Sequence, residues 1–168
     1  MPASDGERKL IFLRHAENSG DALTEAGIKS SLDIGKQLLK LPISLVVVSG
    51  AQRTAQTAAC VLASGGIAAE QGVHVQTGFG SDDWASWGRL MDSLGTNDIK
   101  TIAQADPGIV HAASSAVDAS IAWILARLGE SKQALIVSHN PIVELAIWRL
   151  TGEPPAPFAR GQWQAFSC

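Results

Sequence analysis

Two histidines and two arginines stand just beyond three short apolar runs, and together they could hold and attack a phosphoryl group. Arg14 and His15 follow Lys9-Leu10-Ile11-Phe12-Leu13. Arg53 follows Leu45-Val46-Val47-Val48 across Ser49-Gly50-Ala51-Gln52. His139 follows Ala134-Leu135-Ile136-Val137-Ser138. Arginine offers planar, permanently charged donors that fit phosphate oxygens. A neutral imidazole is a nucleophile and proton carrier near pH 7. An Arg-His pair at one strand end could be accidental, but the same pattern at three strand ends points to a built site.

The elements that must position these groups are strands. Short apolar runs bounded by polar residues read as buried strands, and in open α/β sheets ligands gather beyond the carboxyl ends of such strands. If the three strands are parallel neighbours, the four side chains converge on one pocket. Helical patterns alternate with the strands. Thr24 is placed as an N-cap with Leu23 and Ile28 as a hydrophobic staple, and Ile28, Leu32, Gly35, Leu38 and Leu39 mark one face of a helix that Pro42 ends. A second helix runs from about Gln52 to Ala63, closed by Gly65-Gly66. Val73 to Thr77 alternates as a strand, with His74 on the opposite face from Val73 and Val75. Short helices are expected near Trp84–Leu94 and Asp98–Ala105. Val117, Ile121, Ile124, Leu125 and Leu128 carry helical spacing. Pro141 suits the first turn of a helix that continues to about Leu150, and Gln162 to Ser167 reads as a last edge strand. This alternation predicts an α/β fold, a single domain over residues 1–168 arranged as a three-layer α/β/α sandwich with a mostly parallel sheet.

Composition bounds the function. The chain has 168 residues, is 46% apolar and 17% charged, and carries a net charge of −3, so it holds a real core and no basic field for nucleic acid or an acidic membrane. The arginines are therefore a local feature suited to a small anion. Cys60 and Cys168 have no metal-ligand spacing. Residues Met1 to Arg8 are polar with no apolar stretch after them suited to export, and no apolar run approaches a membrane span. A cytoplasmic protein is the expectation. His74 and His111 read as structural or solvent-facing, and the tryptophans as packing, with Trp84 and Trp87 at the lip of the pocket.

Four segments also resemble a known family. Leu13-Arg14-His15-Ala16-Glu17, Leu23-Thr24-Glu25-Ala26-Gly27, Ser49-Gly50-Ala51-Gln52-Arg53-Thr54-Ala55-Gln56-Thr57 and Val137-Ser138-His139-Asn140 are similar, in order, to motifs of the histidine phosphatase superfamily, the phosphoglycerate-mutase-like branch. The length is that of its small bacterial phosphatases and phosphohistidine phosphatases. The resemblance implies a phosphoglycerate-mutase-like fold, with His15 as the phosphorylated histidine, Arg14 and Arg53 as phosphate-binding arginines and His139 as the second histidine. It implies no cofactor and no metal. Three positions depart from the pattern. Ala16 stands where glycine is usual, Gly50 stands where proline is common, and Asp21 lies near a place where mutase-like members carry asparagine. Many members place an acidic proton donor after the third strand, and Asp82 or Asp83 falls near that place.

These residues imply a mechanism. Neutral His15 attacks phosphorus, its other ring nitrogen donating to a backbone carbonyl. Arg14, Arg53 and a protonated or N–H-donating His139 hold the equatorial oxygens, and Asp82 or Asp83 protonates the leaving group and later activates water. The expected partner is a small phosphorylated metabolite or a phosphohistidine protein, with oligomeric state left open. Three rivals remain: a mutase that returns the phosphoryl group, a phosphate-binding module without turnover, and a metal hydrolase using His15 and His139 as ligands.

Overall fold

Strand and helix do alternate. A computed structural model describes residues 7–168, so residues 1–6, part of the polar stretch read as lacking an export signal, lie outside the described residues. In chain order the elements are β1 (Lys9–Arg14), β2 (Asn18–Ser19), β3 (Ala22–Leu23), α1 (Glu25–Gln37), β4 (Ile43–Val48), α2 (Gln52–Gly65), β5 (Val73–Val75), a 3-10 turn (Thr77–Phe79), α3 (Trp84–Leu94), α4 (Ile99–Ala105), α5 (Pro107–Leu125), β6 (Gln133–Ser138), α6 (Ile142–Thr151) and β7 (Trp163–Ser167).

The main sheet has the order β5-β4-β6-β1-β7. Four strands are parallel, and the edge strand β7 runs antiparallel to β1. The period-two alternation of a strand sends successive side chains to opposite faces. Leu10, Phe12, Leu45, Val47, Ala134 and Ile136 join a core with Trp87, Ile102, Val117, Ile124 and Leu145 from α3 to α6. Ile11, Leu13, Val46, Val48, Leu135 and Val137 join a second core with Ile34, Leu38, Ala58 and Val61 beside α1 and α2. Helices thus cover both faces, the three-layer arrangement expected. The three apolar runs form the adjacent strands β4, β6 and β1. Arg14 pairs with Ser138 and Val48 with Val137, so the three chains leave the sheet at one level.

Several local expectations change. The buried face of α1 is Gly27, Ser31, Ile34 and Gly35, whereas Ile28 is 43% and Leu39 51% exposed. The reason is close helix packing. A Cβ on Gly35 would lie 2.4 Å from the Val61 carbonyl oxygen of α2, so α1 meets α2 through small residues that carry no hydrophobic signal. Val73 and Val75 of β5 are exposed, while His74 stacks edge-on against Trp123, centroids 5.2 Å apart. α5 begins ten residues before Val117. Asp106 caps it by accepting from the Ile109 N–H, and Pro107 opens it, an Asp-Pro start that the sequence displays. α5 also corrects the expectation that nothing approaches a membrane span. It has 19 residues and a mean hydropathy of 1.4 over its most apolar stretch. In the fold its Val110, Val117, Ile121 and Ile124 face the core.

Candidate active site

β1 and β6 deliver two histidines whose rings meet edge to face, centroids 5.1 Å apart. His15 is 6% and His139 2% exposed. The His15 Nδ1–H donates to the Ala16 carbonyl at 2.8 Å, because a carbonyl can only accept. That leaves the Nε2 lone pair free, the tautomer the sequence expects, and the Arg53 Nε–H points at it from 3.4 Å. The Arg53 Nη2–H donates to His139 Nδ1 at 3.0 Å. His139 must then carry its proton on Nε2, which donates to the Ser49 hydroxyl at 2.6 Å. Ser49 passes its proton towards Thr54 Oγ1 at 3.2 Å, and Thr54 donates to the Ala51 carbonyl at 2.7 Å. One ordered chain of donors therefore runs from the pocket into the first turn of α2.

Burial is the main reason both histidines are neutral. It, with the nearby charges of Arg53, Arg14 and Arg160, holds His15 at about pKa 4 against the pull of its bond to Ala16. His139 is held at about 3 by burial and then by Arg53, His15 and Arg14. Of the protonated or N–H-donating His139 expected, this arrangement holds the neutral, donating form. Its one N–H is engaged by Ser49, and its lone pair accepts from Arg53.

Arg53 is aimed by a residue outside the four. The Asp21 carboxylate accepts from Arg53 Nη1 at 2.7 Å and from the Gln52 N–H at 3.0 Å. Ala51, the N-cap of α2, has no side chain that can cap, so Asp21 does that job from the β2–β3 hairpin. Its bonds to Gln52 and Arg53 keep its pKa below the ordinary value. Arg14 is held differently. Its Nη1–H donates to the Phe158 carbonyl at 2.6 Å, and the segment after α6 runs alongside it. The Gly161 N–H reaches the carbonyls of Arg14 and His15 at 3.1 and 3.3 Å, and the Arg14 N–H donates to Gln162 at 3.0 Å. Arg160, exposed in the same turn, sequence reasoning overlooked.

Asp82 and Asp83 stand just before Trp84 in sequence, and so beside this cluster, without bonding to it. Neither hydrogen-bonds to His15, Arg14, Arg53 or His139. Both line a neighbouring cleft of about 540 Å³ with Ser86, Trp87 and Asp106, and none of the four basic residues borders it. Asp83 caps α3, accepting from the Ser86 N–H at 3.1 Å, and this bonding holds its pKa down. A carboxylate so occupied is held ionised as the cap of α3. Asp82 is exposed. Trp84 does border the cluster, its ring 4.9 Å from that of His139, whereas Trp87 is a core residue. Ala16 replaces glycine without strain, since its φ is negative. Its N–H donates to Thr57 Oγ1 at 3.1 Å. Gly50 does need to be glycine, at φ +98°. Among the described residues no group of three or more His, Cys, Asp or Glu gathers as metal ligands do.

No family model and no curated protein matches the sequence. Solved structures do match. The α-ribazole phosphatase from Shigella flexneri is 26% identical over 94% of this chain and 89% of that one, with a TM-score of 0.63. A phosphoglycerate mutase from Bacillus anthracis is 15% identical over 97% and 89%, TM-score 0.70. The protein histidine phosphatase SixA, complexed with tungstate, is 19% identical over 94% and 86%, TM-score 0.62. The chain therefore has the phosphoglycerate-mutase-like fold of the histidine phosphatase superfamily.

Proposed function

We propose that this chain, which has the fold of the histidine phosphatase superfamily, is a metal-independent phosphatase that works through a phosphohistidine on His15. The observation that carries the proposal is one contact set: neutral His15 and His139 at adjacent strand ends, with Arg53 donating to both. A phosphate oxygen entering there competes for Arg53 donors that now rest on imidazole lone pairs. As Arg53 turns to the anion, His139 Nδ1 is released and can take a proton. A metal ion in the same place would face the guanidinium directly, which disfavours the metal-hydrolase rival.

In the first step the His15 Nε2 lone pair attacks phosphorus and the bond to the leaving group breaks. Arg14 and Arg53 hold the oxygens on which charge spreads, with Arg160 adding positive field from the neighbouring turn. In the second, a water oxygen attacks phosphorus and the P–N bond breaks, its electrons returning to Nε2 as the lone pair, and the product leaves as dihydrogen phosphate carrying both water protons. The leaving group must take a proton, yet neither Asp82 nor Asp83 hydrogen-bonds to the cluster. That favours substrates whose leaving group needs little protonation, phosphohistidine above alkyl phosphates. It equally weighs against a mutase, which must return the phosphoryl group to an alcohol. A reading of the whole chain as one catalytic domain, in the cytoplasm, belongs to the same proposal. Its two cysteines are free, as a reducing compartment requires.

The test is phosphate release from small phosphomonoesters and from a phosphohistidine protein, with and without chelator, together with trapping of acid-labile, base-stable phosphate on the protein. Turnover is expected to survive chelation, and labelling to vanish in His15→Ala. Near-normal hydrolysis by His15→Ala excludes the phosphohistidine route, and loss with chelator that zinc or manganese restores favours a metal enzyme. Binding of phosphate without turnover of any substrate leaves a phosphate-binding module.

A further inference from the structure

Among the described residues Glu144 is the one carboxylate that the fold buries completely, at 0% exposed, and the mechanism above gives it no part. It stands in the first turn of α6. Its Oε1 accepts from the Phe158 N–H at 2.6 Å and from Asn140 Nδ2 at 2.7 Å. Phe158 in turn accepts, through its carbonyl, from Arg14 Nη1 at 2.6 Å. The carboxylate and the guanidinium thus grip the same residue, one by its N–H and the other by its C=O.

Anchoring an N–H explains Oε1 alone, and a glutamine would do that without burying a charge. Burying a carboxylate costs several kcal/mol unless an opposite charge and full hydrogen bonding compensate. Oε2 has no hydrogen-bond partner and neither has Arg14 Nε, both of them buried. The charge is what remains to be explained, and Arg14 is the cation whose field meets it: Glu144 is the leading influence that favours the charged form of Arg14 against its burial. Burial in turn raises the Glu144 pKa, opposed first by its bonds from Phe158 and Asn140 and then by Arg14.

We propose that Glu144 is a positioning residue for the phosphate clamp, fixing the direction of the Arg14 guanidinium through Phe158 and through its own opposite charge. This rests on the reading of Arg14 as a phosphoryl ligand. The same hold extends to the segment carrying Arg160, since Phe158, Gly161 and Gln162 are all tied to Glu144, Arg14 or His15.

A double-mutant cycle tests it, with Glu144→Gln made in the wild-type and in the Arg14→Ala backgrounds. Glutamine keeps the shape and an acceptor for Phe158, and melting curves establish that each variant folds. Binding of vanadate and of inorganic phosphate is measured by calorimetry, and kcat and KM where turnover exists. In the wild-type background Glu144→Gln is expected to lower kcat and vanadate affinity about tenfold with KM little changed, as for side chains sharing one network. In the Arg14→Ala background the further loss should be under about twofold. Equal losses in both backgrounds, or a change in melting temperature alone, overturn the proposal. Should Glu144→Gln not fold, Asn140→Ala, which removes one donor from the carboxylate, must show the same coupling at smaller size, and its absence overturns the proposal too. Vanadate binding without turnover of any substrate defeats the phosphatase reading while the binding cycle still decides Glu144. Binding of neither anion to the wild type defeats both.

Discussion

A histidine serves as a nucleophile only while its ring is neutral, and here two residues far apart in sequence, at the ends of β1 and β6, are kept neutral by the same enclosure. His15 is held at about pKa 4 by burial and then by Arg53, Arg14 and Arg160. Its Nε2 lone pair is therefore available from neutral pH down to about pH 5. The expected result of a ring-proton NMR titration is that His15 and His139 show no midpoint near 6.5, and that Arg160→Ala raises the His15 midpoint by removing one positive neighbour. A His15 midpoint at the ordinary value would remove the basis for its enclosure by the arginines. The acids behave in the opposite way. Asp83→Asn should leave turnover of p-nitrophenyl phosphate and of sugar phosphates alike unchanged, because asparagine caps a helix as well as aspartate. Asp83→Ala should cost about 1 kcal/mol of stability through the lost cap, read by urea denaturation. A loss of roughly 10²–10⁴ confined to sugar phosphates in either Asp82→Asn or Asp83→Asn would restore that residue as the general acid.

Elements carry the site because three of them end level, and that much was legible. Apolar runs ending in Arg14-His15, Ser49 and Ser138-His139 are strands by pattern, and adjacency of β1, β6 and β4 brings the groups together. What the sequence hides are contacts made by backbone and by small residues. Asp21 caps α2 across a gap of thirty residues, Phe158 meets Arg14 by its carbonyl, and Glu144 sits among apolar positions of α6 that read as core. Ser49 could have been found, since it closes a strand inside a motif already singled out. The α1 face is only partly legible: Gly35 and Leu38 are buried as expected, but Gly27 and Ser31 pack by being small and carry no apolar signal. Gly35→Ala is the sharp test of that packing. Its Cβ would lie 1.9 Å from Ser64 Oγ, which can rotate, and 2.4 Å from the Val61 carbonyl oxygen, which cannot. A loss of about 1–3 kcal/mol is expected from overpacking, with kcat unchanged because α1 supplies no group to the cluster. Stability equal to wild type would mean that the helices separate at little cost.

At the scale of the whole molecule, keeping two imidazoles neutral makes the fold sensitive to acid. The folded-state values of about 4 for His15 and about 3 for His139 lie below the ordinary 6.5 that an unfolded chain shows. Between these limits the unfolded state binds more protons than the folded one, so stability falls as pH falls. This contribution is fully present above about pH 6.5 and is lost progressively as pH drops through the folded values. Glu144 acts with the opposite sign. Its raised pKa is a cost to the fold at higher pH that is relieved as pH falls from the raised value towards the ordinary 4.5. Asp21, Asp83 and Asp98, held below their ordinary 3.8, add to acid destabilisation only under that value. Across pH 6.5 to 5 the two histidines lower stability as pH falls while Glu144, titrating above its ordinary 4.5, opposes them, so the histidine part is read as the difference from a variant that keeps Glu144. The melting temperature of the wild type should fall steadily across that interval, while a His15→Ala/His139→Ala double variant should show most of that fall removed. Inorganic phosphate should offset the loss in the wild type, because a ligand bound only by the folded state stabilises it by mass action, and should not do so in the double variant. A melting-temperature profile from pH 7 to 5 shared by the wild type and the double variant would show that these imidazoles protonate in place, and that the enclosure described here does not keep them neutral.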